Sequence, residues 1–172
     1  MERGAVYRWY CVWTQPKREA LAVRSLRGIP AIEVFCPMIR FQRLTVRGPR
    51  WFTEAMFPRY IFAKFSFADS RRRVQSARGV SGIVLFGGEP AEVPASAIDR
   101  LRHAAGPEEM VVVAPGRKEG TASGRLSGIE AIVAEFIPGP ERIRVLMDLL
   151  GESIITEPPR KVAGDRRGAS PT

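Results

Sequence analysis

In 172 residues there is a single histidine, His103. That scarcity excludes a histidine-rich metal cluster and a histidine-based nucleophilic triad, and leaves His103 as a cation favourably placed at the end of a helix. There are two cysteines, Cys11 and Cys36; with no secretory leader they read as buried free thiols rather than a disulfide. No apolar run approaches the roughly 18–20 residues of a membrane span, and Met1-Glu2-Arg3-Gly4 opens no signal-type segment, so a cytoplasmic chain with no membrane partner is expected. The glycine-rich stretch 116–128 has neither a dinucleotide nor a Walker pattern, and the acidic pair Glu108 and Glu109 reads as a solvated linker. No catalysis, no cofactor and no metal are expected.

What is plentiful is positive charge. The net charge is +9 and the pI near 10.5, which favours a polyanionic partner through counterion release. A hydrophobic content of 45% supports a packed core in one ordinary domain plus a small one.

The stretch 56–65 organises the chain. At period two, Phe57, Arg59, Ile61, Ala63 and Phe65 fall on one side, and Pro58, Tyr60, Phe62 and Lys64 on the other. A strand apolar on both faces needs two partners, one inside the domain and one from another sheet face, domain or molecule.

Before it, residues 9–14 read as a strand, with Thr14 capping a helix that takes Pro16 in its first turn and stops at Gly28. Residues 32–41 read as a second strand whose continuation turns at Arg47-Gly48-Pro49-Arg50 and returns through 51–53. Arg40, Arg43, Arg47 and Arg50 make this a basic hairpin, shaped either to lie on a phosphate backbone or simply to be solvated. After it, the pattern predicts helices at 69–77 and 95–103 with a strand between them. The expected fold is α+β: an antiparallel-sheet α/β sandwich over 7–103, a linker at 104–109, a second unit at 110–162 and a disordered tail at 163–172.

Several of these residues carry a family resemblance: Trp9-Tyr10, Pro37, Met56-Phe57-Pro58-Arg59-Tyr60-Ile61-Phe62, Arg78-Gly79-Val80-Ser81, Phe86-Gly87 and Val93-Pro94. In order and spacing over 9–103 they resemble the amino-terminal (NGN) domain of the NusG family of transcription elongation factors. Residues 36–39 and the hairpin are closer to its RfaH-like specialised branch. The resemblance implies a monomeric elongation and antitermination factor acting on selected operons. An apolar depression would take the clamp helices of bacterial RNA polymerase, supplied here by Phe57, Pro58, Tyr60 and Phe62, with Trp13 and Phe86 at the rim. It implies non-template or upstream DNA near Lys17, Arg18 and Arg78, together with Arg47 and Arg50 of the hairpin, and a second polymerase contact at Arg71, Arg72 and Arg73. The rival reading is a general nucleic-acid- or ribosome-associated binding protein without polymerase contact.

The second unit resembles the family's KOW β-barrel, through which a ribosome or a termination factor would be recruited. Residues 117–122 are charged and small where its first strand alternates, so 110–113 are read as that strand. Residues 129–136 and 143–149 fit two periods. As strands they line one barrel face; as helices they make apolar stripes, with Pro140 and Glu141 at a start and Gly151 at a stop. In the RfaH-like branch such a unit folds as an α-helical hairpin over the polymerase site, and both alternatives stay open here.

Overall fold

The computed structural model describes residues 4–113 and 139–150. Its elements are β1 (Tyr7–Thr14), α1 (Glu19–Arg27), β2 (Glu33–Phe35), β3 (Met38–Thr45), β4 (Gly48–Ala55), β5 (Tyr60–Ser66), α2 (Phe67–Gln75), β6 (Val80–Ile83), β7 (Leu85–Phe86), β8 (Glu89–Pro90), β9 (Glu92–Val93), α3 (Ala95–Ala105), β10 (Met110–Val112) and α4 (Gly139–Leu149). The aromatic and β-branched runs of β1 and β5 pair antiparallel from Tyr7↔Ser66 to Trp13↔Tyr60, at the centre of a sheet ordered β2-β5-β1-β6 with β9 also on β1.

Period-two alternation divides this sheet between two cores. Tyr10 and Val12 of β1, with Ile61, Ala63 and Phe65 of β5, pack with Ala22 and Leu26 of α1 and Val74 of α2. On the opposite face Trp9 and Cys11, with Tyr60 and Phe62, pack with Ile98 and Leu101 of α3 and with Val145 and Leu146 of α4. The two-partner expectation for this strand is met within the chain.

Boundaries differ where the backbone turns. Helix α1 begins at Glu19, and Thr14 ends β1 instead of capping the helix, because Lys17 takes a left-handed φ of 57° and interrupts the path between them. The strand expected over 32–41 breaks after Phe35 at Cys36-Pro37, where Pro37 has no N–H to give a ladder. The hairpin turns earlier than expected, between Thr45 and Gly48, with Gly48 at φ 94° and the Thr45 hydroxyl donating to the Gly48 carbonyl at 2.7 Å. Residues 56–59 form a turn with Arg59 at φ 71°, which removes Pro58 and Arg59 from the strand and carries Phe57 round to the side of Tyr60 and Phe62.

Two observations bear on the stretch expected to form the second unit. Residues 110–112 do form a strand, but β10 runs parallel to β3 and extends the β3–β4 ribbon instead of opening a barrel, burying Val113 with Ile39 and Phe41. Residues 143–149 lie within helix α4 rather than a barrel strand. Pro140 and Glu141 stand in its first turn, and Arg142, Val145 and Leu146, spaced i, i+3 and i+4, are its buried residues, the last two within the cluster on the β5 face, so the helical period is the one that finds a partner. The expectations for 116–138, Gly151 and the tail lie outside the described residues.

Gly79 fixes how α1 meets β6. At φ 85° it sits where an added Cβ would meet the Ala22 amide nitrogen at 2.8 Å and the Arg18 carbonyl at 3.0 Å, all backbone. Gly79→Ala is expected to destabilise the fold by about 2–4 kcal/mol, combining left-handed strain with a shift of α1. Urea unfolding against the wild-type chain measures this, and a loss within about 0.5 kcal/mol would show that the helix yields freely.

Candidate functional site

The face of β5 that looks towards α3 and α4 gathers most of the expected polymerase residues. Phe57, Tyr60 and Phe62 are buried together; the Phe62 ring stacks on Phe35 with centroids 6.2 Å apart and meets the edge of Phe57 at 5.9 Å. Trp13 and Phe86 pack against the same cluster, half-buried at its border. Pro58 is half-buried in the turn, and its Cγ lies 3.3 Å from where a Cβ on Gly139 would stand, so the start of α4 rests on it.

Two features hold this face in shape that the sequence pattern did not disclose. In its left-handed turn the Arg59 amide donates to Glu19 Oε1 at 2.9 Å, while Nε donates to the Thr14 carbonyl at 3.3 Å. The guanidinium lies 4.3 Å from the centroid of the Trp13 ring. One residue thereby ties β1, α1 and the turn before β5 together, at an energy typical of a partly desolvated cation–π contact. The second feature is Arg142 of α4, which is fully buried and donates from Nη2 to Glu54 Oε1 of β4. Within the face, burial pushes the Tyr60 phenol above its usual pKa, helped by neighbouring Cys11 and opposed by Arg59.

The expected nucleic-acid residues fall into separate places. Lys17, Arg18 and Arg78 are brought together: the Gln15 amide donates to the Gly79 carbonyl at 2.8 Å, and the Arg78 amide to Ser25 Oγ of α1 at 3.0 Å. All three side chains are exposed there. Arg47 and Arg50 are instead on the β3–β4 ribbon. Arg71, Arg72 and Arg73 form an exposed row on α2, with Arg71 at 6.0 Å from the Phe67 ring and Arg73 donating to Ser70 Oγ at 3.0 Å.

A family model described as "NusG: Transcription termination factor nusG" matches residues 7–102. The chain belongs to the NusG family. Among solved structures, one described as "Domain interaction in Thermotoga maritima NusG" is similar at 25% identity, over 67% of this chain and 70% of that one, with a TM-score of 0.45. NusG-family membership assigns a role in transcription elongation or termination, in company with RNA polymerase, and it is a family of transcription factors rather than known enzymes.

The two thiols of this NusG-family domain are held inside it. Cys11 and Cys36 are both free and buried; burial pushes the Cys36 thiol up to about 12 and Cys11 further, so neither is a ready nucleophile. Among the described residues no three His, Cys, Asp or Glu side chains are grouped to hold a metal, and no helix is long and apolar enough to cross a membrane.

Proposed function

We propose that this chain is an RfaH-like member of the NusG family, an elongation and antitermination factor for selected operons that grips the clamp helices of RNA polymerase with the β5 face. The observation that carries the reading is α4 lying on that face. Tyr60 and Phe62 close the same cluster as Val145 and Leu146, so the surface proposed for polymerase is held by the chain's own helix. Clamp helices are themselves α-helical, and an apolar helix seated in the depression is the shape of ligand such a site accepts. Release of α4 would open the site, and the covered state lowers apparent affinity by the fraction of molecules that are open.

In this reading Phe57, Pro58, Tyr60 and Phe62 anchor the clamp helices, with Trp13 and Phe86 as rims. Lys17, Arg18 and Arg78 hold non-template or upstream DNA, as do Arg47 and Arg50, while Arg71, Arg72 and Arg73 touch a second polymerase element. The unit proposed for 110–162 recruits a ribosome or a termination factor once freed, and the factor works as a monomer in the cytoplasm.

The test uses a chain whose α4 contact is weakened by Arg142→Glu. Adding Tyr60→Ala is expected to reduce polymerase capture roughly 30-fold, the loss of one buried aromatic anchor, with affinity for nucleic acid kept. Equal capture with and without Tyr60 would move the polymerase contact off this face and favour a nucleic-acid-binding protein that works without polymerase.

A further inference from the structure

The β3–β4 ribbon carries an arrangement that a solvated hairpin does not need. From residue 38 to residue 53 it holds Arg40, Arg43, Arg47 and Arg50 and no carboxylate. Cross-strand pairing assigns these cations to both faces. Phe41↔Phe52 and Arg43↔Arg50 share one face, and Arg40↔Thr53 and Gln42↔Trp51 the other. On the first, the Arg43 guanidinium lies 5.5 Å from the Phe41 ring and 5.7 Å from Phe52; on the second, Arg40 lies 5.2 Å from Trp51. Near the tip Leu44, in β3 opposite Pro49, is 80% exposed, and Val46 is fully so in the turn, where polar residues are the rule.

We infer that this ribbon inserts into the major groove of B-form duplex DNA, with arginines on its two faces reaching the two phosphate walls and Leu44 and Val46 meeting base edges at the floor. The inference rests on the DNA role proposed above for Arg47 and Arg50. A protein lying flat on a backbone needs cations on one face only; cations on both faces fit a slot with two anionic walls. The major groove, about 12 Å wide, admits a two-stranded ribbon, and apolar side chains there find thymine methyls. A single strand stacked on the aromatic rings fits less well, since guanidinium groups already lie over them. Stacked in this way a guanidinium keeps its N–H edge free and ordered for phosphate. A-form RNA duplex is disfavoured as well, its major groove being too narrow for side chains to read.

Fluorescence anisotropy with the full chain tests this without polymerase. The probes are a labelled DNA duplex, each of its strands alone and the same sequence as RNA duplex, across a salt series. DNA duplex is expected to bind tightest. Arg40→Gln and Arg43→Gln, on opposite faces, should each flatten the slope of log K against log salt by about 0.9. Leu44→Ser with Val46→Ser should weaken binding roughly tenfold at unchanged slope. The inference is overturned if the duplex does not bind, if only one face's arginine alters the slope, if the tip variant binds as wild type, or if single strands bind as tightly and lose that affinity with Trp51→Ala. Circular dichroism of each variant confirms that the ribbon changes leave the fold intact. Because this assay omits polymerase and the Tyr60 test reads polymerase capture, either can fail while the other stands.

Discussion

Arg142→Glu is expected to raise the apparent affinity for RNA polymerase on the order of 100-fold, by loosening α4 from the β5 face. Arg142 is fully buried, and it reaches Glu54 across 88 residues of sequence. Breaking a buried ion pair by changing one partner destabilises by about 3–5 kcal/mol, and a glutamate at 142 adds repulsion against Glu54. The Glu54 side chain keeps 44% of its surface in solvent, so part of the strain relaxes into water and the lower end of that range applies. Glu54→Arg in the same chain should return much of the lost cover, though incompletely, because glutamate is shorter than arginine and will not fill the space Arg142 occupies. The double-mutant cycle isolates the pair from effects on either residue alone. Capture titrations of the four chains provide the measurement, and equal affinities for all four would show that α4 does not gate the site.

Phe62→Ala is expected to cost about 3–5 kcal/mol of folding stability, and to do so whether or not polymerase is present. Phe62 is completely buried in β5 and packs against the rings of Phe35 and Phe57. A cavity here opens between strands and helix α3, where little can collapse to fill it. Urea unfolding would register the loss as a lower midpoint, and a change below about 1 kcal/mol would mean that the neighbouring rings close over the gap. The same experiment sorts the residues proposed to touch polymerase: Phe62 belongs foremost to the core, while Tyr60, at the end of the strand beside the turn, has more to offer a partner.

How much of this was legible in the sequence depends on the distance over which each feature is decided. The two-faced character of β5 is a local alternation, and it is found in the structure residue by residue from Tyr60 to Ala63 and again at Phe65. The basic hairpin was legible for the same reason, since its strands are joined by a short turn. The turn at 56–59 was not, because nothing in Phe57-Pro58-Arg59 announces that Arg59 will take φ 71°, a conformation held by Glu19 and Thr14 from other elements. The ambiguity of 143–149 was real: Ile143, Val145, Met147 and Leu149 alternate as well as Ile143, Leu146, Met147 and Leu150 make a stripe. Only packing against a distant strand decides between two local periods, and the Arg142–Glu54 pair that accompanies it has no signature in either neighbourhood.

The division of the central sheet between two cores has one more consequence. Ile61, Ala63 and Phe65 close a core with α1 and α2 to which α4 contributes nothing. Departure of α4 would therefore uncover only the part of one face that α3 leaves free, while the other face keeps every contact, as a door can leave its frame without loosening the wall. The parity of β5 is the latch: a slip of one residue in its pairing with β1 would exchange the two sets of side chains, turning the residues proposed for polymerase towards α1 and α2.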